Sequence, residues 1–438
     1  MIVMKFGGTS VGSAGRIIKS AEIIKSRIHL KPVVVVSAVA KITDDLIKLA
    51  KESADGNSEH FNQIKNAHLE IINQLELEES LLEQDFQELS KLVKSTEQNK
   101  NINLEVLDNF QSFGEKMSSK IVAAYLNQIG IISKAYNSWD LGLLTTNDFG
   151  NAEPLESGYT NIKNNILKLK LVPVITGFIG KTKNNKITTF GRGGSDYSAV
   201  IFGSAIDADE IQIWTDVDGV MTADPKIVQN PKPVRQVSFA EASELAYFGA
   251  KVLHPKSILP AMRKNIPVRV LNSFNPQDDG TKIVNKSEIS RKTIKSIAYK
   301  NNTTLIHIDS TRMLGAYGFL ARIFYIFGKY KKSVDVVSTS EVSVSLTVDN
   351  GENVENILRE LKEFSHVETA KNKSIICVVG EGIKDEKRMA GRIFTTLGKN
   401  NINVEMISQG ASKINLTFVV DGNDTSKAVM SLHDEYFG

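Results

Sequence analysis

The chain has 438 residues, of which 41% are hydrophobic, and its formal net charge at pH 7 is +3. That length allows about two or three domains with cores of their own, and the nearly balanced charge provides no electrostatic basis for binding nucleic acid. No apolar run reaches the roughly 18 residues that a membrane span requires, the N-terminus has no signal-peptide layout, and the single Cys377 excludes a disulfide within one chain, so we expect a cytoplasmic protein.

The N-terminal residues predict a buried strand over 2–6, a glycine-rich turn with the sequence GGTSVGSAG, and an amphipathic helix. Lys5 lies near the end of that strand, beside paired glycines, where a lysine can bind phosphate. The turn is not a Walker A loop, because no Gly-Lys-Ser/Thr sequence closes it. An ordinary surface lysine explains Lys5 equally well, so this segment alone leaves its role open.

The next segments continue an alternation of strands and helices. Residues 32–38, PVVVVSA, have the continuous β-branched run of a central parallel strand, and a helix with Thr43 and Asp44 near its start follows. Residues 53–130 are mostly helical in pattern and contain Glu115, for which a solvated helix position is the usual interpretation. Further strands are predicted over 131–136 and 172–178.

Residues 186–225 carry the densest group of candidate functional residues. They predict a strand, the turn GRGGSD, an apolar helix capped by Ser195 or Asp196, and a second strand that ends in TDVDGVMTADP. Glycine turns before helices bind anions, and polar residues at the carboxyl end of a buried strand mark the sites of open α/β sheets. These features suit a nucleotide with its metal, although a plain strand–turn–helix crossover also explains the glycines.

A helix over 239–248, the sequence GAKVLHP and a strand over 266–271 complete the first two-thirds of the chain. Alternating strands and helices predict a mainly parallel sheet with helices on both faces. We assign residues 1–287 to one α/β domain.

The last third contains an internal repeat. The tripeptide RIF at residue 322 recurs at residue 392, an offset of 70 residues (392 − 322), and further pairs keep this offset. Each copy predicts the order strand, helix, strand, strand, helix. The second copy lacks a closing strand, while a spare strand pattern at 293–299 precedes the first copy. We therefore predict that the first copy, 301–372, is inserted into a domain formed by 288–300 and 373–438.

Seven motifs along the chain resemble the signature set of the aspartate kinase family. They are KFGGTS at 5–10, SAVAKITDDL at 37–46, GE at 114–115, TTFGRGGSDYSA at 188–199, WTDVDGV at 214–220, TADP at 222–225 and FGAKVLHP at 248–255. The last third resembles the paired ACT regulatory domains of that family, including SVDVVSTSEVSVSLT at 333–347 and SQGAS at 408–412. The resemblance implies a three-layer amino-acid kinase sandwich followed by two ferredoxin-like (α+β) ACT domains, in a monofunctional enzyme without a fused homoserine dehydrogenase.

The reaction implied by the resemblance is transfer of the γ-phosphate of MgATP to the side-chain carboxylate of L-aspartate, giving 4-phospho-L-aspartate. This is the first committed step toward lysine, threonine and methionine. An aspartate carboxylate has a pKa of about 4 and is already ionised at neutral pH, so no general base is needed. Positioning and electrostatic stabilisation would carry the catalysis.

The resemblance also implies roles for individual residues. Those on the nucleotide would be Lys5, Gly7, Gly8, Thr9, Thr215, Asp216, Met221, Asp224, Lys226 and Lys251. Those on aspartate would be Thr43, Glu115, Arg192, Gly193, Gly194, Ser195 and Asp196, with Arg192 on the α-carboxylate and Glu115 on the ammonium. Lys5, Gly8, Asp196 and Lys251 would take part in catalysis directly. Asp224 would lie near the phosphates or Mg²⁺, and no other protein ligand for the metal stands out.

Four positions within residues 1–287 depart from the pattern of the family. Met221 stands where tyrosine is common and provides no hydroxyl, and Lys226 stands where arginine is common and lacks the planar fork. Ala40 and Lys41 replace a small glycine-containing loop of some members. The first two departures bear on nucleotide affinity and base preference.

Eight residues of the first repeat match the effector-site stretches of the family: Met313, Gly318, Phe319, Leu320, Val334, Asp335, Ser340 and Glu341. The acidic Asp335 and Glu341 would suit the ammonium of lysine, so we expect feedback inhibition by lysine. The usual assembly would be a homodimer joined through the ACT domains, or a tetramer. A related amino-acid kinase, such as an N-acetylglutamate or glutamate 5-kinase, and a non-catalytic amino-acid sensor on the same fold remain as alternatives.

Overall fold

The computed structural model describes residues 1–249, 253–286, 293–313, 317–383, 385–409 and 414–438. The chain divides into two compact units. The first comprises Met1–Gly219, Arg235–Phe239 and Val252–Lys286, and the second comprises Val220–Val234, Ala240–Lys251 and Ser287–Gly438. In the described ranges, no helix is both long enough and apolar enough to cross a membrane.

The first unit contains strands β1 to β11 and most of helices α1 to α9; α8 begins there at its first residue and continues in the second unit. The strands are β1 (Ile2–Phe6), β2 (Pro32–Val36), β3 (Ser133–Tyr136), β4 (Leu144–Thr145), β5 (Val172–Thr176), β6 (Ile179–Thr182), β7 (Ile187–Thr189), β8 (Glu210–Thr215), β9 (Gln236–Ser238), β10 (Val268–Asn272) and β11 (Thr281–Val284). The helices are α1 (Ala14–Ser26), α2 (Ile42–Ala54), α3 (Glu59–Gln74), α4 (Glu83–Asn99), α5 (Leu104–Gln128), α6 (Glu156–Ile166), α7 (Gly194–Ala205), α8 (Phe239–Tyr247) and α9 (Pro255–Lys264).

Eight strands form the main sheet in the order β3-β5-β2-β1-β8-β10-β11-β9. The only antiparallel neighbours among them are β10 and β11, which confirms the expected mainly parallel α/β fold. β1 lies between β2 and β8, so the carboxyl ends of these three strands meet at one edge. The separate sheet β4-β6-β7 stands beside the glycine turn that follows β7.

The sequence of β2 explains its central position. All five residues of PVVVV are buried, and the four valines are 0% exposed. Burying each valine side chain contributes about 1.5 kcal/mol or more, and the absence of polar alternation suits a strand with both faces covered. The helical layer over this strand approaches closely at Gly114 of α5, where a Cβ atom would lie 2.6 Å from the Cβ of Ala38.

His68 of α3 is a buried titratable residue that is not among the predicted site residues. It is 0% exposed, its Nδ1 lies 2.7 Å from the carbonyl oxygen of Ile64, and its Nε2 has no partner among the described residues. Burial lowers the pKa of His68 from 6.5 to about 4. The ring is therefore neutral in the folded protein, and its contribution to stability is complete above pH 6.5 and is lost as the pH falls toward 4.

We expect the unfolding free energy of the His68→Phe variant to depend less on pH below pH 6.5 than that of the wild-type protein. Between pH 6.5 and 4 the wild-type protein should lose up to about 3 kcal/mol relative to this variant, because only the unfolded wild-type chain binds the extra proton. Urea titrations at several pH values measure the difference. His29→Phe, at an exposed position, is the control and should keep the wild-type slope. Equal slopes for wild type and His68→Phe would contradict the prediction.

The second unit contains strands β12 to β17 and helices α10 to α13. They are β12 (Ser296–Asp309), α10 (Phe319–Lys329), β13 (Val337–Thr339), β14 (Ser343–Asp349), α11 (Val354–Lys362), β15 (His366–Val379), α12 (Met389–Lys399), β16 (Met406–Ser408), β17 (Asn415–Asp421) and α13 (Thr425–Phe437). All six strands form one antiparallel sheet in the order β13-β14-β12-β15-β17-β16. This combination of an antiparallel sheet and helices confirms the α+β character expected of the last third. Cys377 is buried in β15.

The spare strand predicted at 293–299 does not end before the first repeat but continues into it as one strand. β12 and β15 each run unbroken for 14 residues and pair with each other from Ser296 opposite Val379 to Asp309 opposite His366. Asn302 and Asn372 adopt positive φ values of 59° and 56°, and the pairing register shifts near residues 300–305. Asparagine tolerates this conformation as a single residue, so the chain makes a local irregularity here and continues as a strand. The limits 301–372 for an inserted domain remain a prediction.

Candidate active site

A cavity of about 400 Å³ lies in the first unit, at the edge where β1, β2 and β5 end. It is lined by one residue of β1, by residues that follow β1, β2, β5 and β7, by residues at the starts of α2 and α7, and by one residue of α5. They are Lys5, Gly8, Ser37, Ala38, Val39, Ala40, Lys41, Thr43, Asp44, Glu115, Phe178, Gly191, Gly193, Gly194, Ser195 and Asp196. Eight of the residues predicted to bind substrates are in this group: Lys5, Gly8, Thr43, Glu115, Gly193, Gly194, Ser195 and Asp196.

Lys5 is only 8% exposed, so it is not an ordinary surface lysine. Its Nζ lies 2.6 Å from Oδ1 of Asp196, in contact as an ion pair but without the angles of a hydrogen bond. A Cβ atom on Gly7 would lie 3.5 Å from Nζ, which is ordinary van der Waals contact, so the ammonium lies close to the backbone of this glycine. The side chain of Lys5 therefore reaches from β1 to the first turn of α7 and places a positive charge at the cavity wall.

The two glycines after β1 differ in what their amides can do. The N–H of Gly7 donates to the carbonyl oxygen of Trp214 at 3.0 Å, so it continues the sheet and is not free to bind a phosphate, contrary to the prediction for that residue. Gly8 begins a 3₁₀ helix, Gly8–Val11, and lines the cavity. The first amides of such a helix have no intrahelical acceptor, so Gly8 and Thr9 are the better candidates at this turn.

Two helices begin at the cavity, and neither has a side-chain cap. The N-cap residues are Lys41 for α2 and Gly193 for α7, and both have φ values of 71°. The prediction that Ser195 or Asp196 caps α7 was wrong, because both residues lie inside its first turn. Uncapped helix N-termini present free N–H groups and the positive end of the helix dipole. The cavity therefore suits an anion on two sides.

Glu115 lies on α5 with 2% of its surface exposed, so the solvated interpretation does not apply. Its Oε2 has no hydrogen-bond partner among the described residues. Burial raises the pKa of Glu115 from 4.5 to about 8, while hydrogen bonding from the backbone of Ala38 and the charge of Lys5 act in the opposite direction. A buried carboxyl group with an unused oxygen at a cavity wall is suited to receive a cationic group.

Asp108 of α5 anchors the backbone next to the glycine turn. Its Oδ2 accepts hydrogen bonds from the backbone N–H groups of Gly150 and Thr189, both at 2.9 Å, and its Oδ1 accepts one from the hydroxyl of Thr189 at 2.8 Å. Gly150 in turn contacts Gly191, where a Cβ atom would lie 2.7 Å from the Gly150 oxygen. Burial raises the pKa of Asp108, and these three hydrogen bonds limit the rise. The residue was not predicted from the sequence.

We expect Asp108→Ala to lower the unfolding free energy of the first unit by about 2–4 kcal/mol, because two backbone N–H groups lose their acceptor. Asp108→Asn should restore most of this, since the amide oxygen can accept both bonds and the NH₂ group can donate to the Thr189 hydroxyl. Urea unfolding and amide hydrogen exchange at Gly150 and Thr189 measure the effect. Asp148→Asn, in the loop that contains Gly150, is the control. Unchanged exchange in Asp108→Ala would contradict this role.

Arg192 is exposed and does not line the cavity, unlike the glycines on either side of it. His254, the N-cap of α9, packs over the next residue, Gly193, with its Cβ 2.8 Å from the position of a Cβ there. Burial and the charge of Arg192 lower the pKa of His254. The backbone next to Arg192 is thus packed against His254, while the side chain of Arg192 is exposed.

The remaining residues that are predicted to contact the nucleotide belong to different units. Thr215 ends β8 in the first unit, and its hydroxyl donates to the exposed Asp216 at 3.3 Å. In the second unit, Asp224 accepts hydrogen bonds from the Lys226 backbone at 2.8 Å and the Tyr299 hydroxyl at 3.0 Å, so both of its oxygens are engaged. Met221 is half-buried and Lys226 is exposed. Lys251 lies outside the described residues.

The predicted effector residues all belong to the second unit. Gly318, with φ of 81°, is the N-cap of α10, the ring of Phe319 packs edge-on against Phe364, and Leu320 is 41% exposed. The hydroxyl of Ser340 lies 2.8 Å from that of Ser343. Met313 and Val334 pack against the core of this half of the sheet, Glu341 is exposed, and the side chain of Asp335 is 2% exposed.

Several cavity residues were not predicted as ligands: Ser37, Lys41, Asp44 and Phe178. Lys41 carried a signal, because Ala40 and Lys41 replace a small glycine-containing loop of some family members, and the φ of 71° at Lys41 is a conformation that favours glycine. That conformation costs a non-glycine residue about 1 kcal/mol. Phe178, with φ of 62°, carried no such signal in the sequence.

Two family models match the chain. The one described as the amino acid kinase family matches residues 1–272, and the one described as an ACT domain matches residues 376–436. Aspartokinase 3, chloroplastic, of Arabidopsis thaliana is 42% identical over 99% of this chain and 81% of its own length. Lysine-sensitive aspartokinase 3 of Escherichia coli strain K12 is 35% identical over 100% of this chain and 99% of its own length.

Solved structures match over the full length as well. Crystal structures of E. coli aspartokinase III cover 100% of both chains at 33% identity. The complex with aspartate and ADP has a TM-score of 0.85, and the complex with lysine and aspartate has a TM-score of 0.83. These similarities extend over both compact units of the chain.

Proposed function

The chain belongs to the aspartokinase family, and from that premise we propose that it transfers the γ-phosphate of ATP to the side-chain carboxylate of L-aspartate. The product would be 4-phospho-L-aspartate, and the pathway would be that of lysine, threonine and methionine. The observation that carries this proposal is the pairing, in one cavity, of an anion-binding wall with a buried carboxyl group. Lys5 and two uncapped helix N-termini form the first, and Glu115 forms the second.

Both reactants are negatively charged, so the main task of the protein is to offset their repulsion. Lys5 and the amides of Gly8 and Thr9 would bind the β- and γ-phosphates, and the first turns of α2 and α7 would stabilise charge on the transferring group. The Lys5–Asp196 ion pair fixes the ammonium in place before the nucleotide arrives. No proton is removed from the nucleophile, because its carboxylate is already ionised.

Aspartate itself needs one partner for its ammonium and one for its α-carboxylate. We assign the ammonium to Glu115, which lines the cavity and has one carboxylate oxygen without a partner among the described residues, and the α-carboxylate to Arg192. Arg192 would turn from its exposed position toward the bound substrate, over Gly193 and Gly194. Thr43 and Ser195 would add hydrogen bonds from the starts of α2 and α7. Asp196 would orient Lys5.

On the nucleotide we retain Thr215, Asp216, Met221, Asp224, Lys226 and Lys251 as proposed contacts. Mg²⁺ would neutralise the β- and γ-phosphates when bound. Among the described residues, no group of three or more His, Cys, Asp or Glu side chains is placed to hold a metal ion. Since Mg²⁺ commonly uses one or two carboxylates together with substrate phosphates, these residues fit a metal that enters with ATP, with Asp224 as the candidate carboxylate.

Trapping of the acyl phosphate with hydroxylamine tests the reaction directly. With ATP and Mg²⁺, aspartate should give the hydroxamate and glutamate should not. Product from glutamate instead would favour a related amino-acid kinase. No product from either amino acid, in a protein whose melting temperature still rises with lysine, would favour a non-catalytic sensor.

We also propose feedback inhibition by lysine through the first repeat, supported by the buried carboxylate of Asp335 in the effector stretch. Titrating the coupled kinase assay with single amino acids should show inhibition by lysine, and inhibition by threonine alone would reject the assignment. A homodimer would cover the apolar face of α10, where Leu320, Phe324 and Tyr325 are 41%, 40% and 72% exposed. Sedimentation equilibrium distinguishes a dimer from a tetramer or a monomer. The cytoplasmic location stays a prediction.

A further inference from the structure

The carboxylate of Asp335 already has two partners within the second unit. Its Oδ1 accepts a hydrogen bond from Nζ of Lys300 and another from the hydroxyl of Tyr247, both at 2.8 Å. Its Oδ2 is buried and has no partner among the described residues. One oxygen of the proposed effector-binding carboxylate is thus occupied and the other is unused.

Lys300 presents the same chemical group as the side chain of free lysine. It lies in β12 with its side chain 21% exposed, and it forms a second ion pair with Asp349 at 2.8 Å. Its Nζ also lies 5.5 Å from the centre of the Tyr247 ring. Hydrogen bonds and ion pairing with both aspartates raise the pKa of Lys300 in spite of burial, so its ammonium stays charged at neutral pH.

The second repeat contains a corresponding group. Lys373 pairs with Glu405 at 2.6 Å and with Asp421 at 3.0 Å, and Glu405 lies 70 residues after Asp335. Among the described residues, no tyrosine hydroxyl donates to Glu405 as that of Tyr247 donates to Asp335. The two lysine–carboxylate groups therefore provide a test site and a matched control in one chain.

We propose that Lys300 sets the affinity of the effector site, because its ammonium competes with the ammonium of the effector for Asp335. This inference rests on the proposed role of Asp335 in binding lysine. An incoming ammonium at Oδ2 would lie close to that of Lys300 on the same carboxylate, and two like charges in a partly buried site repel each other. The effector must either displace Lys300 toward Asp349 or bind against its charge, and each route weakens binding. Tyr247 adds a second, uncharged competitor at Oδ1.

Lys300→Met tests the competition. We expect the lysine concentration for half-maximal inhibition, and the Kd from calorimetry, to fall about tenfold, since an unpaired buried carboxylate binds a cation more tightly. Lys300→Arg keeps the charge and should stay within about threefold of wild type. Tyr247→Phe keeps the ring, removes one donor to Oδ1 and should lower the Kd about two- to fivefold. Activity without lysine is measured in parallel for every variant.

Lys373→Met is the control, because it opens the corresponding group in the second repeat and should leave lysine affinity unchanged. An unchanged or higher Kd in Lys300→Met, with wild type still binding lysine, would overturn this inference and leave the proposed function intact. If Lys300→Met does not fold, a Tyr247→Phe variant that binds lysine no more tightly than wild type overturns it. If wild type does not bind lysine at all, the proposed effector role and this inference both fail.

Discussion

Replacing Lys5 with methionine is expected to lower kcat for aspartate phosphorylation about 10³-fold, because a donor aimed at the transferring phosphoryl group is lost. Lys5 is 8% exposed and its ammonium is held 2.6 Å from Oδ1 of Asp196, so its positive charge has a fixed place at the cavity wall. Methionine is close in length and fills the same space. Steady-state kinetics with saturating aspartate and MgATP measure the loss.

Stability must be separated from chemistry in this experiment. Removing Lys5 leaves Asp196, whose side chain is 17% exposed, without its ion-pair partner. The double variant Lys5→Met/Asp196→Asn removes that unpaired charge and should recover the melting temperature without recovering kcat. Lys163→Met breaks an ion pair of the same 2.6 Å length with Asp207 at the surface and should keep wild-type activity. A folded Lys5→Met variant with near-normal turnover would refute the electrostatic account of the cavity.

The Michaelis constant for aspartate is expected to fall as the pH rises to about 8. In the substrate-free protein burial raises the pKa of Glu115 to about 8, so near neutral pH the carboxyl group is mostly protonated and must ionise to receive the substrate ammonium. KM should therefore decrease about tenfold per pH unit between pH 6 and 7.5 and level off above pH 8. Proton release on aspartate binding, measured by calorimetry in two buffers of different ionisation enthalpy, provides an independent readout.

Glu115→Gln removes both the charge and its titration. KM for aspartate should rise about 10²-fold at pH 8 and lose its pH dependence, because a charge-assisted hydrogen bond is lost. The folded wild-type protein holds a proton on Glu115 that the unfolded chain releases above pH 4.5, so ionisation opposes folding from there up to pH 8. Glu115→Gln should accordingly gain stability relative to wild type as the pH rises. Asp44→Asn, at the same cavity, is the control for a general effect of charge. A pH-independent KM in wild type would refute the assignment of the ammonium to Glu115.

Much of the parallel sheet could be predicted because its residues encode burial directly. The run PVVVV has no polar alternation, and only a strand covered on both faces accommodates five such residues. The grouping of Lys5 with the turn at 191–196 follows from the rule that sites form at the carboxyl ends of parallel strands. The motifs alone, without this rule, would not have shown that the two turns face one cavity.

Other features depended on long-range contacts that local patterns do not contain. Gly7 looked like a phosphate ligand, but its amide is used by Trp214, a partner 207 residues away in the sequence. The role of Asp108 depends on Gly150 and Thr189, which come close only in the folded unit. Ser195 and Asp196 have good capping side chains, yet the cap position falls on Gly193, which, unlike those two residues, accepts the left-handed backbone without strain.

The unbroken lengths of β12 and β15 have a mechanical consequence. Each of these strands supplies backbone hydrogen-bond partners to both repeats. Unfolding of one repeat would therefore break the hydrogen bonds between β12 and β15 that the other repeat also uses. The two repeats should unfold as one cooperative unit. A conformational change in one repeat should be transmitted to the other along these two strands. Separating the two copies into fragments would expose unpaired edge strands, which promote aggregation by pairing with strands of other molecules.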